Sequence, residues 1–142
     1  MAKKNRDDMA ENEAARAMIE WASTVSPADL AAELMAAFGP DGPKGGNDVH
    51  HSNLVEWLFR EHPNPGGYVF QGGKSYGEPS RVYEQLHRPM REALQLLEHA
   101  ELIYVGWIEA AYAAWSGTRL GRAVLANGKA AVRQRIFDRT GV

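Results

Sequence analysis

A proline stands in the middle of the most strongly patterned stretch of this chain. Residues 78–103 read EPSRVYEQLHRPMREALQLLEHAELI. On a helical wheel of about 100° per residue, Val82, Tyr83, Leu86, Met90, Ala93, Leu96, Leu97 and Ala100 gather on one side. Arg81, Gln85, Arg88, Arg91, Glu92, Gln95 and His99 take the other. Burying each large apolar member contributes about 1.5–3 kcal/mol, so the stretch belongs to the core. Pro89 limits how it does so. In a helix interior a proline costs about 3 kcal/mol and removes a backbone hydrogen bond, and it disfavours helical torsions at the residue before it. At the first position of a new helix it costs little. The pattern therefore predicts two helices, Pro79–Leu86 and Pro89–Ala100, meeting at a corner around His87–Arg88. The competing reading is one kinked helix.

After this stretch, Leu102–Ile108 (LIYVGWI) is rich in β-branched and aromatic residues and reads as a strand. Tyr112–Ser116 is its expected hairpin partner, with a turn at Glu109–Ala111 that lacks glycine and asparagine. Both sides of Leu102–Ile108 are apolar, so a terminal helix is expected to cover the second face.

At 142 residues the chain is one domain by length, with an additional helical arm. It has no cysteine, which excludes disulfides and thiolate metal sites and suits a cytoplasmic protein. No run approaches the ~18 apolar residues that span a membrane, and the polar N-terminus lacks a signal-peptide core. The net charge is −2, but the charges are unevenly spread. Residues 7–33 hold seven acids and one base, whereas residues 117–142 hold six bases and one acid. Such a contrast suits self-association or an anionic partner.

Met9–Ser23 favours helix by composition, with Met18, Ile19 and Trp21 as anchors. Ser26 and Pro27 open a second helix, Ser26 as N-cap, which Gly39 and Pro40 end. Trp21, Met35 and Phe38 find no evident partner nearby in the sequence, so residues 1–39 are expected to act as a helical arm that contacts a second copy. Residues 40–48 are a glycine-rich linker. Capped by Asn47 or Asp48, the next helix carries Leu54, Val55, Leu58 and Phe59 as its stripe, and Tyr68–Phe70 is a short strand candidate. Thr118 caps a further helix that Asn127–Gly128 interrupts, leaving a basic helix over residues 129–142.

The pattern over residues 49–128 resembles bacterial winged helix-turn-helix regulators of the MarR-like and PadR-like kind. Ala93, Leu94, Leu97, Glu98, Leu102 and Ile103 match the end of a recognition helix and the entry to the wing, while Thr118, Gly121 and Leu125 match the helix after it. The resemblance implies a mainly α fold with a small β-hairpin, a winged helix-turn-helix with extra N-terminal and C-terminal helices. The chain departs from the pattern in two places. Ala100 and Glu101 stand where the family often has glycine, and the wing carries no arginine or lysine.

These readings make the chain a homodimeric, double-stranded-DNA-binding transcriptional regulator. Arg81, Arg88, Arg91 and Gln95 would face base edges and phosphates, with Lys74 and Arg119 adding phosphate contacts. The alternative is a winged-helix adaptor or inhibitor, such as a phage might encode, that binds another protein instead of DNA. The base-free wing favours it, with Tyr112 and Trp115 as contact residues beside Trp21, Met35 and Phe38. Residues 67–75 (GYVFQGGKS) miss the phosphate-loop spacing by one residue. The adjacent His50 and His51 point about 100° apart on a helix, so no metal site is expected. Neither a cofactor nor an enzymatic activity is expected.

Overall fold

The computed structural model describes residues 15–61, 81–109 and 112–142; the side chains of residues 81–84 and 107–112 lie outside that description. Among the described residues the chain is mainly helical, with a small three-stranded antiparallel sheet. Helix α1 covers residues 15–24 and buries Ala15, Met18 and Ala22, the i, i+3, i+7 stripe of an amphipathic helix. The Ser26 hydroxyl then accepts from the Asp29 amide at 3.1 Å and Pro27 opens α2, Pro27–Met35. Helix α2 is buried almost all round, at Ala28, Leu30, Ala31, Ala32, Leu34 and Met35. Its alanines let α4 and α6 approach closely, and only Pro27, Asp29 and Glu33 reach the margin. A 3-10 turn, Ala36–Phe38, carries Phe38 into the same core.

Strand β1, Val49–His50, precedes α3, His51–Glu61. The Asn53 side-chain oxygen Oδ1 accepts from the His50 amide at 3.0 Å, so the side-chain bond at this entrance comes from within the helix, where Asn47 or Asp48 was expected to supply it. Asp48 instead accepts from the Ser116 hydroxyl.

Helix α4, Arg81–His99, is one helix with Pro89 inside it. The two-helix reading with a corner at His87–Arg88 is therefore corrected. Leu86, Met90, Ala93 and Leu97 are wholly buried and Leu94 nearly so. Four large side chains at about 1.5–3 kcal/mol each outweigh the ~3 kcal/mol that an interior proline costs.

Strands β2, Ile103–Glu109, and β3, Tyr112–Gly117, form the hairpin, and β1 pairs with the far side of β3, giving the order β1-β3-β2. The register sets Val49 opposite Trp115 and Ile103 opposite Gly117, with an irregularity between Val105 and Trp107. The Trp115 indole donates to Glu98 at 2.9 Å and ties the sheet to α4. Cover over the hairpin is incomplete: Ile103 is buried, but Tyr104 is 52 % and Val105 40 % exposed. The candidate strand Tyr68–Phe70 lies outside the described residues.

Helix α5, Arg119–Ala126, and helix α6, Lys129–Thr140, part at Asn127–Gly128, where Gly128 has φ 96°. Val132 and Ile136 sink α6 into the core. Lys129 pairs with Glu33, Arg133 with Asp29 at 2.9 Å, and Arg139 with Glu101. The basic end of the chain is thus joined to acids of the same molecule. Among the described residues no helix is long and apolar enough to cross a membrane.

Candidate nucleic-acid interface

The stripe of α4 turned away from the core carries Gln85, Arg88, Arg91, Glu92, Gln95 and His99, all exposed. Arg88, Arg91 and Gln95 stand three and four residues apart, which aligns them along one flank. Glu92 lies one turn beyond Arg88, the spacing of a helical ion pair, yet the two do not pair. Among the described residues neither Arg88 nor Arg91 has an acidic partner within ion-pair reach. Glu98, the next acid on the helix, is occupied by the Trp115 indole. The flank therefore offers two guanidinium forks and one amide, the groups that recognise phosphates and purine edges.

The inner edge of this flank meets α3. His51 is 6 % exposed, and its ring lies 4.9 Å from that of His87, tilted by 48°. Burial, then the charges of His87 and Arg91, push the His51 pKa down to about 4. The imidazole is neutral at pH 7, so the helix carrying the arginines rests on an uncharged partner. Arg60 lies over the Trp57 ring, 4.8 Å from its centroid, and is paired with Glu61 at 3.4 Å, so this exposed cation of α3 already has an acidic neighbour. The sequence reading did not single out Arg60; its signal was a tryptophan and an arginine three apart on one helix.

The other expected site residues are dispersed. Arg81 opens α4, but its side chain is not described, and Lys74 lies outside the described residues. Arg119 is exposed at the start of α5. The Thr118 hydroxyl donates to the Glu101 carbonyl at 2.6 Å, and the Thr118 amide donates to that of Leu102 at 2.9 Å. These bonds fix Arg119 beside the C-terminal end of α4. At 1.5 Å per residue that end lies roughly 16 Å or more along the axis from Arg88. Arg119 and the α4 stripe are thus not one cluster.

The residues expected to face a protein partner are mostly interior. Met35 is wholly buried and Phe38 1 % exposed, so both find their partners within the chain. Trp115 is buried at 8 %, and Trp21 is half-buried against the core. Tyr112 begins β3, and its side chain is not described. The large apolar groups actually presented to solvent are Tyr104, Val105, Leu120, Phe137 and Val142. The described residues contain no grouping of three or more His, Asp or Glu that could hold a metal. Comparison with protein-family models, with characterised proteins and with solved structures gave no match.

Proposed function

We propose that this chain is a winged-helix DNA-binding protein and acts as a transcriptional regulator, with α3 and α4 as its helix pair, β2 and β3 as its wing and the exposed flank of α4 as its reading surface. The observation that carries the proposal is topological. A short strand after α2 and its 3-10 turn hydrogen-bonds to the far strand of a later hairpin, and α4, the longest of the described helices, leads directly into that hairpin. That order is compatible with a winged helix, with β1 as the short strand that joins the wing. The flank of α4 supports it chemically, because Arg88 and Arg91 are exposed, have no acidic partner among the described residues, and are continued in line by Gln95. In this reading phosphate neutralisation supplies most of the affinity and base edges the selectivity. A homodimer would set two such flanks about 34 Å apart, one turn of duplex.

The test is fluorescence anisotropy with a labelled duplex of mixed sequence, titrated at several salt concentrations. Binding should weaken as salt rises, and Arg88→Ala with Arg91→Ala should lower the salt slope by about two phosphate contacts. Affinity and slope that survive both substitutions would remove the α4 flank from the reading.

A second reading rests on the hairpin. Tyr104 and Val105 are exposed on a strand that lacks basic residues, which suits contact with another protein better than with phosphates. Under that reading duplex binding is absent even at low salt, and Tyr104→Asp abolishes a stable hetero-complex while leaving the fold intact.

A further inference from the structure

Trp57 of α3 lines a cleft of about 750 Å3 whose other walls are the 3-10 turn, the loop over residues 39–47 and helix α5. Its size falls in the ~300–1,000 Å3 range of small-molecule sites. The apolar walls are Phe38, Trp57 and Leu125. The opposite wall is glycine backbone held in place by its own hydrogen bonds. The Gly42 amide donates to the Gly39 carbonyl at 3.0 Å, and the Asn47 amide and side chain both donate to the Lys44 carbonyl at 3.1 Å. A Cβ on Gly42 would stand 2.0 Å from the Ala37 carbonyl oxygen, so the loop lies directly on the turn. Gly45 and Gly46, with φ 59° and 95°, face open space.

Two charges line this one cleft without meeting. Among the described residues Arg122 reaches only the Gly46 carbonyl, at 3.4 Å, with the rest of its five-donor fork unused there. Among the described residues the Asp41 carboxylate has neither an ion pair nor a hydrogen bond.

We propose that the cleft binds a small zwitterion, an apolar α-amino acid or short apolar peptide, whose carboxylate meets the Arg122 guanidinium and whose ammonium meets Asp41. The apolar side chain lies against Leu125 and the exposed edge of Trp57, above the buried Phe38. A carboxylate accepts a guanidinium fork in a bidentate pair, and an ammonium supplies the donors that Asp41 lacks. The inference stands apart from the DNA reading, since it uses neither Arg88 nor Arg91.

Isothermal titration of the full chain with L-leucine, L-phenylalanine and the dipeptide Leu-Leu tests it. At least one of these should bind saturably, and whichever binds sets the ligand length. Capping its amine as the N-acetyl derivative, or its carboxylate as the amide, should each weaken binding roughly tenfold or more, the scale of one lost charge-assisted bond. Arg122→Gln and Asp41→Asn should do the same. Both residues are exposed, so circular dichroism should show an unchanged fold. Ala126→Trp, which fills the cleft from an exposed position, should abolish binding. Capped ligands that bind as well as free ones, binding that persists in Ala126→Trp, or no heat with any of the three at millimolar concentration would overturn the proposal.

Discussion

Glu101 occupies a backbone position that glycine fills more cheaply. Its φ is 64°, a left-handed conformation costing a side-chain-bearing residue about 1–2 kcal/mol. The Leu102 amide donates to the Leu97 carbonyl at 2.9 Å and the Glu101 amide to that of Glu98 at 3.0 Å, the two bonds of a Schellman ending for α4. What glutamate adds is its carboxylate, 3.7 Å from Arg135 and also paired with Arg139. These groups are substantially exposed, so the pairs are worth only about 0.2–1 kcal/mol. Glu101→Gly should therefore change stability by less than about 1 kcal/mol, because relieved strain offsets the lost pairs. Glu101→Ala loses the pairs and keeps the strain, so it should fall about 1 kcal/mol below Glu101→Gly in urea denaturation. An alanine variant as stable as the glycine one would dispose of the strain. At His51 the effect is one of pH. With its folded pKa depressed to about 4 from 6.5, the group is neutral in both folded and unfolded chains above pH 6.5. As pH falls from 6.5 towards 4, the unfolded chain takes up a proton that the folded one refuses, so stability declines through that window. The His51→Phe variant should lose this part of the slope, which urea midpoints at pH 7, 6 and 5 would reveal.

Among the elements, α4 decides how much could be read in advance. The apolar stripe Leu86–Met90–Ala93–Leu97 and the hairpin after it were both plain from residue spacing, as were the Ser26 and Thr118 caps and the break at Gly128. Pro89 was misjudged because its local cost is visible in the sequence, whereas the burial of Leu86 and Met90 on either side of it depends on distant packing against α2. Gln85, whose carbonyl loses its helical donor to the proline ring, is exposed, so water can replace the bond. Strand β1 was missed for a different reason: two residues carry no period, and only the hydrogen bonds to β3 make them a strand. The Arg88–Arg91–Gln95 line was visible in the wheel, but the seclusion of Met35 and Phe38 was not, since their neighbours come from remote parts of the chain. The continuous helix gives a sign test. Pro89→Ala restores a missing amide inside a helix and should raise stability by about 1 kcal/mol or more in thermal or urea unfolding. Had Pro89 opened a second helix, the same change would lose a favourable first-turn residue and lower it.

Over the whole molecule, the contrast between an acidic front and a basic end is used internally. Asp29 and Glu33 on α2 meet Arg133 and Lys129 on α6, and the Ser26 hydroxyl, then the Arg133 guanidinium, hold the Asp29 carboxyl below the ordinary carboxylate value. The charge pattern thus selects which helix packs beside which, but it does not supply most of the adhesion. The pairs are largely exposed, whereas Val132 and Ile136 beneath them are wholly buried in a core cluster that includes residues from Ala15 to Ile136. Truncating a buried Ile to Ala costs about 2–5 kcal/mol, a large part of the ~5–15 kcal/mol that holds a domain folded. Removing an exposed pair costs up to about 1 kcal/mol. Ile136→Ala should consequently lower stability more than Arg133→Ala combined with Arg139→Ala. Salt supplies an independent check on the origin of each loss. At ~1 M salt the Debye length shrinks to about 3 Å, so the double arginine variant should approach the parent chain while Ile136→Ala stays well below it. If the arginine pair proved the costlier loss and salt erased it, electrostatics would be what fastens α6 to the core, and the C-terminal helix could be released by ionic strength alone.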